Sequence, residues 1–185
     1  MNANGHSKPT PPAFACDAML KGLARWLRAS GYDAWWEYGV DDGDLVRFAG
    51  EEKRILLTQD SGIMKRSLIR SGAIPSLFIP LALTVEDQVR LVFDEFKLRR
   101  ADPRCMKCGG RLTVVTKESV KDEAPPRTFR WLDEFFRCAR CGQLFWEGTH
   151  WDRIASRIGE AGLGEAMRKA IREQAMAKGF SCDGC

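Results

Sequence analysis

The chain has 185 residues, 44% of them hydrophobic and 29% charged, with a formal net charge of +4. That is enough apolar material for one ordinary core and a smaller second one, which excludes a wholly disordered chain. No apolar run approaches the roughly 20 residues that a membrane-crossing helix needs, and the mild basicity permits a polyanionic partner without requiring one.

Residues 1–12 are polar and proline-bearing, with no apolar stretch of signal-peptide type. They are expected to form a disordered tail on a cytoplasmic protein. Ala13 to Cys16 is a short apolar run. Leu20, Leu23, Ala24 and Leu27 follow with helical spacing of three and four, and Gly31 supplies a C-cap. Asp33 to Tyr38 is aromatic-rich and predicts a strand. Asp42 to Glu52 predicts a helix with Leu45, Phe48 and Ala49 on one face. Arg54 to Thr58 predicts a buried strand, Ile63 to Arg70 a short helix stopped by Gly72, and Ile74 to Ile79 another strand. Thr84 to Leu98 opens on an N-cap threonine with an acid three residues on, and its apolar face is Val85, Val89, Val92, Phe93 and Phe96. Strands alternating with helices four times over predict an α/β fold with a doubly wound, mostly parallel sheet across residues 13–100.

After Pro103 the pattern changes to paired cysteines and short strand-like runs at Leu112 to Thr116, Thr128 to Leu132 and Leu144 to Glu147. Lys117 to Arg127, with Pro125-Pro126, reads as a loop. Residues 101–150 form this second unit, and residues 151–185 are expected to be a helical extension and tail. Cys105-Met-Lys-Cys108-Gly109 and Cys138-Ala-Arg-Cys141-Gly142 are two copies of CxxCG. Two thiolates two residues apart grip one tetrahedral ion from a tight turn, and the glycine accepts the positive φ that such a turn needs. In a reducing compartment this arrangement predicts a four-cysteine zinc ribbon, with Zn²⁺ closed off by its ligands and therefore structural. Cys182 and Cys185 form a third CxxC with no evident partner, and Cys16 is expected to be buried in a strand.

In open α/β sheets ligands bind at the carboxyl ends of the strands. Asp17 follows the first apolar run, Asp60 follows the strand ending at Thr58, and Asp41, Asp42 and Asp44 lie between the second strand and its helix. Hard carboxylate ligands of this kind suit Mg²⁺ or Mn²⁺. If they share a cation, Asp→Asn changes should leave folding intact and relieve repulsion in the metal-free protein. Lys21, Arg25 and Arg28 on the first helix, and Lys65 and Arg66 after Asp60, could hold phosphates beside such a metal, which fits phosphodiester chemistry with RNA as partner. The competing view is that each acid is a helix cap and each basic stripe a solvated face.

The segments FACDAMLKGLARWLRASGYD, DDGDL and RILLTQD, with CARCGQLFWEGTH near the end, resemble the PIN-like RNase domain of the Mut-7 exonuclease carboxy-terminal family. The resemblance covers about Ala13 to Trp151. It implies a PIN-like nuclease domain followed by a zinc ribbon, and a metal-dependent ribonuclease with Asp17, Asp42 and Asp60 as the catalytic acids. Asp41 and Asp44 are neighbouring candidates for the middle position. With only His6 and His150 in the chain, no histidine-based nucleophilic site competes. The rival from another class is a non-catalytic RNA-binding zinc-ribbon protein, and a phosphomonoesterase on a similar sheet is a second.

Overall fold

The computed structural model describes residues 11–146. His6, His150, the expected extension over 151–185 and the Cys182/Cys185 pair lie outside them.

Four strands, β1 (Ala13–Cys16), β2 (Asp33–Trp35), β3 (Ile55–Thr58) and β4 (Ser76–Phe78), form a sheet of order β2-β1-β3-β4 with every pairing parallel. A short 3-10 turn, Ala18–Leu20, leads into helix α1 (Lys21–Ala29). Helices α2 (Asp42–Glu51), α3 (Ser61–Met64), α4 (Ser67–Arg70) and α5 (Val85–Glu95) follow. Successive strand residues point to opposite faces. Phe14, Cys16 and Leu57 pack with Leu23 and Leu27 of α1 and Val89 and Val92 of α5, whereas Ala15 and Leu56 pack with Leu45 and Ala49 of α2 and with Ile63 and Ile69. Both faces of the sheet are covered, which is why its strands read as continuous apolar runs rather than alternating ones. Burial pushes the Cys16 thiol up to about 12, so it stays neutral as a core residue.

Helix α1 ends in a Schellman motif: Tyr32 N–H donates to Leu27 at 2.9 Å and Gly31 N–H to Arg28 at 3.0 Å, with Gly31 at φ 96°. A side chain at Gly31 would also strike Ala101, since its Cβ would lie 2.7 Å from that carbonyl carbon. The chain leaving the α/β layer is therefore held close against the end of α1. At α5 the predicted cap forms, with Thr84 Oγ1 accepting from Asp87 N–H at 3.3 Å and donating to its carboxylate at 2.7 Å.

The second unit is an antiparallel sheet of order β5-β6-β7, from β5 (Leu112–Val115), β6 (Phe135–Cys138) and β7 (Leu144–Trp146). Two sequence expectations are corrected. Thr128 to Leu132 is not a strand: Pro126 stands at the first position of helix α6 (Pro126–Trp131), where its missing N–H costs nothing. The strand is β6, whose Phe135 and Phe136 are both buried, so the period-two signal is absent. The helix expected over Ile63 to Arg70 is two pieces, because Arg66 takes extended backbone (φ −64°, ψ 143°) between α3 and α4. Among the described residues no helix is long and apolar enough to cross a membrane.

Candidate active site and metal centre

From β1 the sheet grows to β2 on one side and to β3 on the other. The crevice outside the carboxyl ends of β1 and β3 is thus the topological switch point, where ligands of doubly wound sheets bind. Asp17 follows β1 and Asp60 follows β3 at this crevice. Asp17 is 6% exposed. One of its oxygens accepts from Met19 N–H at 2.8 Å, and the other accepts from the Thr58 hydroxyl at 2.6 Å and from Gln59 N–H at 2.8 Å. Thr58 Oγ1 in turn accepts from Asp60 N–H at 2.9 Å. A single buried hydroxyl therefore fixes one acid by its side chain and the other by its backbone. Sequence reasoning missed Thr58, because a threonine ending an apolar strand reads as ordinary β-propensity.

Both acids also cap: Asp17 heads the 3-10 turn, and Asp60 Oδ1 accepts from Gly62 N–H at the start of α3. Capping engages one oxygen of Asp60 and leaves Oδ2 without a hydrogen bond among the described residues. Asp17 makes no ion pair there, so its buried charge is met by three donors alone. On α2 the cap is Asp41, which accepts from Gly43 N–H at 2.7 Å, and Asp44 is paired with Arg47 at 2.7 Å. Of that trio, Asp42 has neither a hydrogen bond nor an ion pair among the described residues. The three candidate acids converge on one sheet edge by topology, but they are not a preassembled cluster. Among the described residues the four cysteines are the one group of three or more Cys, His, Asp or Glu side chains with ligand atoms within 4.8 Å of one another.

Removing the Thr58 hydroxyl without changing shape tests the link. Thr58→Val should cost about 1–3 kcal/mol of stability, because the Asp17 carboxylate and the Asp60 N–H each lose a buried partner. Thr58→Ser should restore most of it. Denaturant unfolding of both variants decides, and an unchanged midpoint in Thr58→Val would mean the link is idle.

The expected cationic track divides. Lys21 lies over the Trp36 ring, 5.1 Å from its centroid, and the Trp36 indole donates to Ala18 at 3.0 Å, so both stay at the acid edge. Arg25, Lys65 and Arg66 are exposed. Arg66 reaches back to the start of α2, where a Cβ on Gly43 would lie 3.7 Å from its Nη1. Arg28 does not join them. It is 5% exposed and donates to Ala34 at 2.7 Å, Met106 at 3.2 Å and Lys107 at 2.9 Å, all backbone carbonyls.

Those last two carbonyls belong to the first cysteine knuckle. Cys105 and Cys141 Sγ are 3.7 Å apart and Cys108 and Cys138 Sγ 3.4 Å, with no disulfide. Tetrahedral zinc with Zn–S of about 2.3 Å needs edges of roughly 3.8 Å, so the four thiols fit that ion. Gly109 and Gly142 follow their knuckles at φ 76° and 71°, as the repeated motif predicts. Burial pushes the Cys105 thiol up to about 12; Cys138 is held down at about 7, against the upward push of burial, by the N–H groups of Cys141 and Arg140. Thiols so unequal do not all ionise by themselves, and a bound cation would supply the missing stabilisation. Arg28, Arg104 and Arg140 surround the centre; Arg104 donates to Gly109 at 3.2 Å and Arg140 to Cys108 at 2.9 Å. The ribbon docks through Arg104 N–H to Arg28 and Ala101 N–H to Ser30, at the end of α1 and the amino edge of the sheet. It therefore stands at the opposite edge from Asp17 and Asp60.

A family model described as the Mut7-C RNAse domain matches residues 12–158. The chain is also similar to the human protein named exonuclease mut-7 homolog, at 25% identity over 230 residues, covering 80% of this chain and 26% of that protein. The chain thus spans about a quarter of that relative's length. No solved structure matches the chain.

Proposed function

The chain belongs to the Mut7-C RNAse domain family, and from that premise we propose that it is a metal-dependent ribonuclease, built as a PIN-like domain with a zinc ribbon and acting in the cytoplasm. The observation that carries this reading is the pair Asp17 and Asp60, tied through Thr58 at the switch-point crevice. Asp17 is oriented by three donors and keeps one lone pair free, on Oδ1, while Asp60 presents an unengaged oxygen. Mg²⁺ typically binds through one or two carboxylates and completes its shell with water and substrate phosphate, so a full acid cluster is not needed beforehand. Asp42, from the start of α2, is the third ligand in this reading.

When bound, Mg²⁺ or Mn²⁺ would supply Lewis acidity toward the phosphate and lower the pKa of a water. The protein's own part is positioning. Asp17 and Asp60 set where the scissile phosphate sits. Lys21, Arg25, Lys65 and Arg66 hold the backbone on either side, while Arg28 is reserved for the ribbon. The zinc centre, at the far edge, holds structure rather than the reacting phosphate.

Purified protein incubated with mixed RNAs should cleave them with Mg²⁺ or Mn²⁺ and not with EDTA. Zinc content is measured in each sample, so that loss of the ribbon is not mistaken for loss of the catalytic ion. RNA binding without cleavage in either metal would favour the RNA-binding zinc-ribbon protein instead.

A further inference from the structure

The loop after β2 and the outer side of α2 enclose an open cleft of about 420 Å³, within the roughly 300–1,000 Å³ range of small-ligand sites. Its aromatic wall is Trp35 and Phe48, with ring centroids 4.3 Å apart and planes tilted by 34°. Tyr38 stands on the rim, 87% exposed, with no aromatic or cation–π partner among the described residues. The polar wall is acidic, with Glu37, Asp41, Asp44 and Glu51, and Arg47 is already paired to Asp44.

This lining selects its occupant. Four carboxylates beside one neutralised arginine repel a phosphate. They do not form a metal site either, since no three of them bring their oxygens within 4.8 Å of one another. Carboxylates do accept hydrogen bonds from the amino groups of bases, and aromatic rings stack on base faces. The cleft also adjoins the acid edge, because Asp41 in its wall caps the helix that begins with Asp42. We propose that this cleft is a nucleobase subsite that takes an unpaired, amino-bearing base flanking the scissile phosphate, stacked on Tyr38. The proposal rests on the nuclease reading for the position of that phosphate. A base held in a duplex cannot enter, so the strand is unpaired there, and uracil, lacking an amino group, is the poorest occupant.

The test is a fluorescence titration of the zinc-loaded full chain without added Mg²⁺ or Mn²⁺. The probes are oligouridylates carrying one adenine, one 2-aminopurine or one abasic residue at each position in turn. At one position, adenine should bind about tenfold tighter than the abasic residue, and 2-aminopurine should be quenched. Tyr38→Ala should erase both effects and Tyr38→Phe should keep them. The losses from Tyr38→Ala and from the abasic residue should not add, since they remove the same contact. Adenine and abasic probes keeping their wild-type ratio in folded Tyr38→Ala would overturn the proposal. RNA hydrolysis is scored on the same proteins with Mn²⁺: coupled binding without any hydrolysis leaves the subsite standing and the nuclease reading fallen, and hydrolysis with uncoupled binding does the reverse.

Discussion

Removing the metal from the four-cysteine centre should unfold the ribbon and loosen the end of α1 with it. The ribbon's own core is small, with Val120, Ala124, Phe135 and Leu144 its buried members. Structural zinc contributes roughly 10–16 kcal/mol of apparent binding free energy in zinc-finger peptides, so a bound zinc would outweigh the packing of so small a core. The effect reaches the α/β layer because Arg28 is buried and spends two of its bonds on Met106 and Lys107. Without an ordered knuckle, those donors lose their acceptors. Elemental analysis should find about one zinc per chain, and chelation or Cys138→Ser should abolish amide protection in β5–β7 and reduce it around Arg28 and Gly31. Arg28→Met, which keeps bulk without the cation, should retain the zinc but lower the melting temperature. Ribbon amides that stay protected after the zinc has gone would contradict this account.

Asp60→Asn and Asp17→Asn should each lower RNA hydrolysis by at least about two orders of magnitude, as expected for losing several kcal/mol of transition-state stabilisation. Their stabilities should differ. Asparagine caps a helix about as well as aspartate, and Asp60 uses one oxygen for that purpose, so Asp60→Asn should unfold at nearly the wild-type midpoint. Asp17→Asn should not. Both Asp17 oxygens accept from protein donors, and whichever way the amide is turned, its NH₂ meets a backbone N–H. The cost is about 1–3 kcal/mol. The expectation from sequence is that removing a charge leaves folding intact and relieves repulsion; the geometry leads to a different expected result for Asp17, because two of its three bonds tie the end of β1 to Thr58 and Gln59 at the end of β3. Activity must therefore be expressed per folded molecule. If these acids were caps alone, both variants would hydrolyse RNA normally.

Much of this was legible in the residues themselves. Apolar runs buried on both sheet faces mark the strands, and an acid within two residues of the end of such a run marks a strand end, which is why Asp17 and Asp60 stand out. The duplicated CxxCG carries its own geometry, down to the positive φ of Gly109 and Gly142. What was not legible depends on partners far along the chain. Arg28 belongs to the same helical stripe as Lys21 and Arg25, and nothing local distinguishes it. It turns inward because carbonyls 78 and 79 residues away supply acceptors. Thr58 is likewise ordinary until Asp17, 41 residues away, is seen to accept from it. In Thr128 to Leu132, aromatic and β-branched content points to a strand, but Pro126 begins a helix and tertiary burial passes to Phe135 and Phe136.

The central claim is that Asp17 and Asp60 form a metal-dependent hydrolytic site. The most direct measurement is Mn²⁺-dependent RNA cleavage by zinc-loaded Asp60→Asn, alone and combined with Asp17→Asn, alongside Mn²⁺ binding by the same proteins. The account predicts a folded Asp60→Asn with weakened Mn²⁺ binding and at least about a hundredfold less cleavage, and a double variant with none detectable. Cleavage retained by the folded double variant would contradict it.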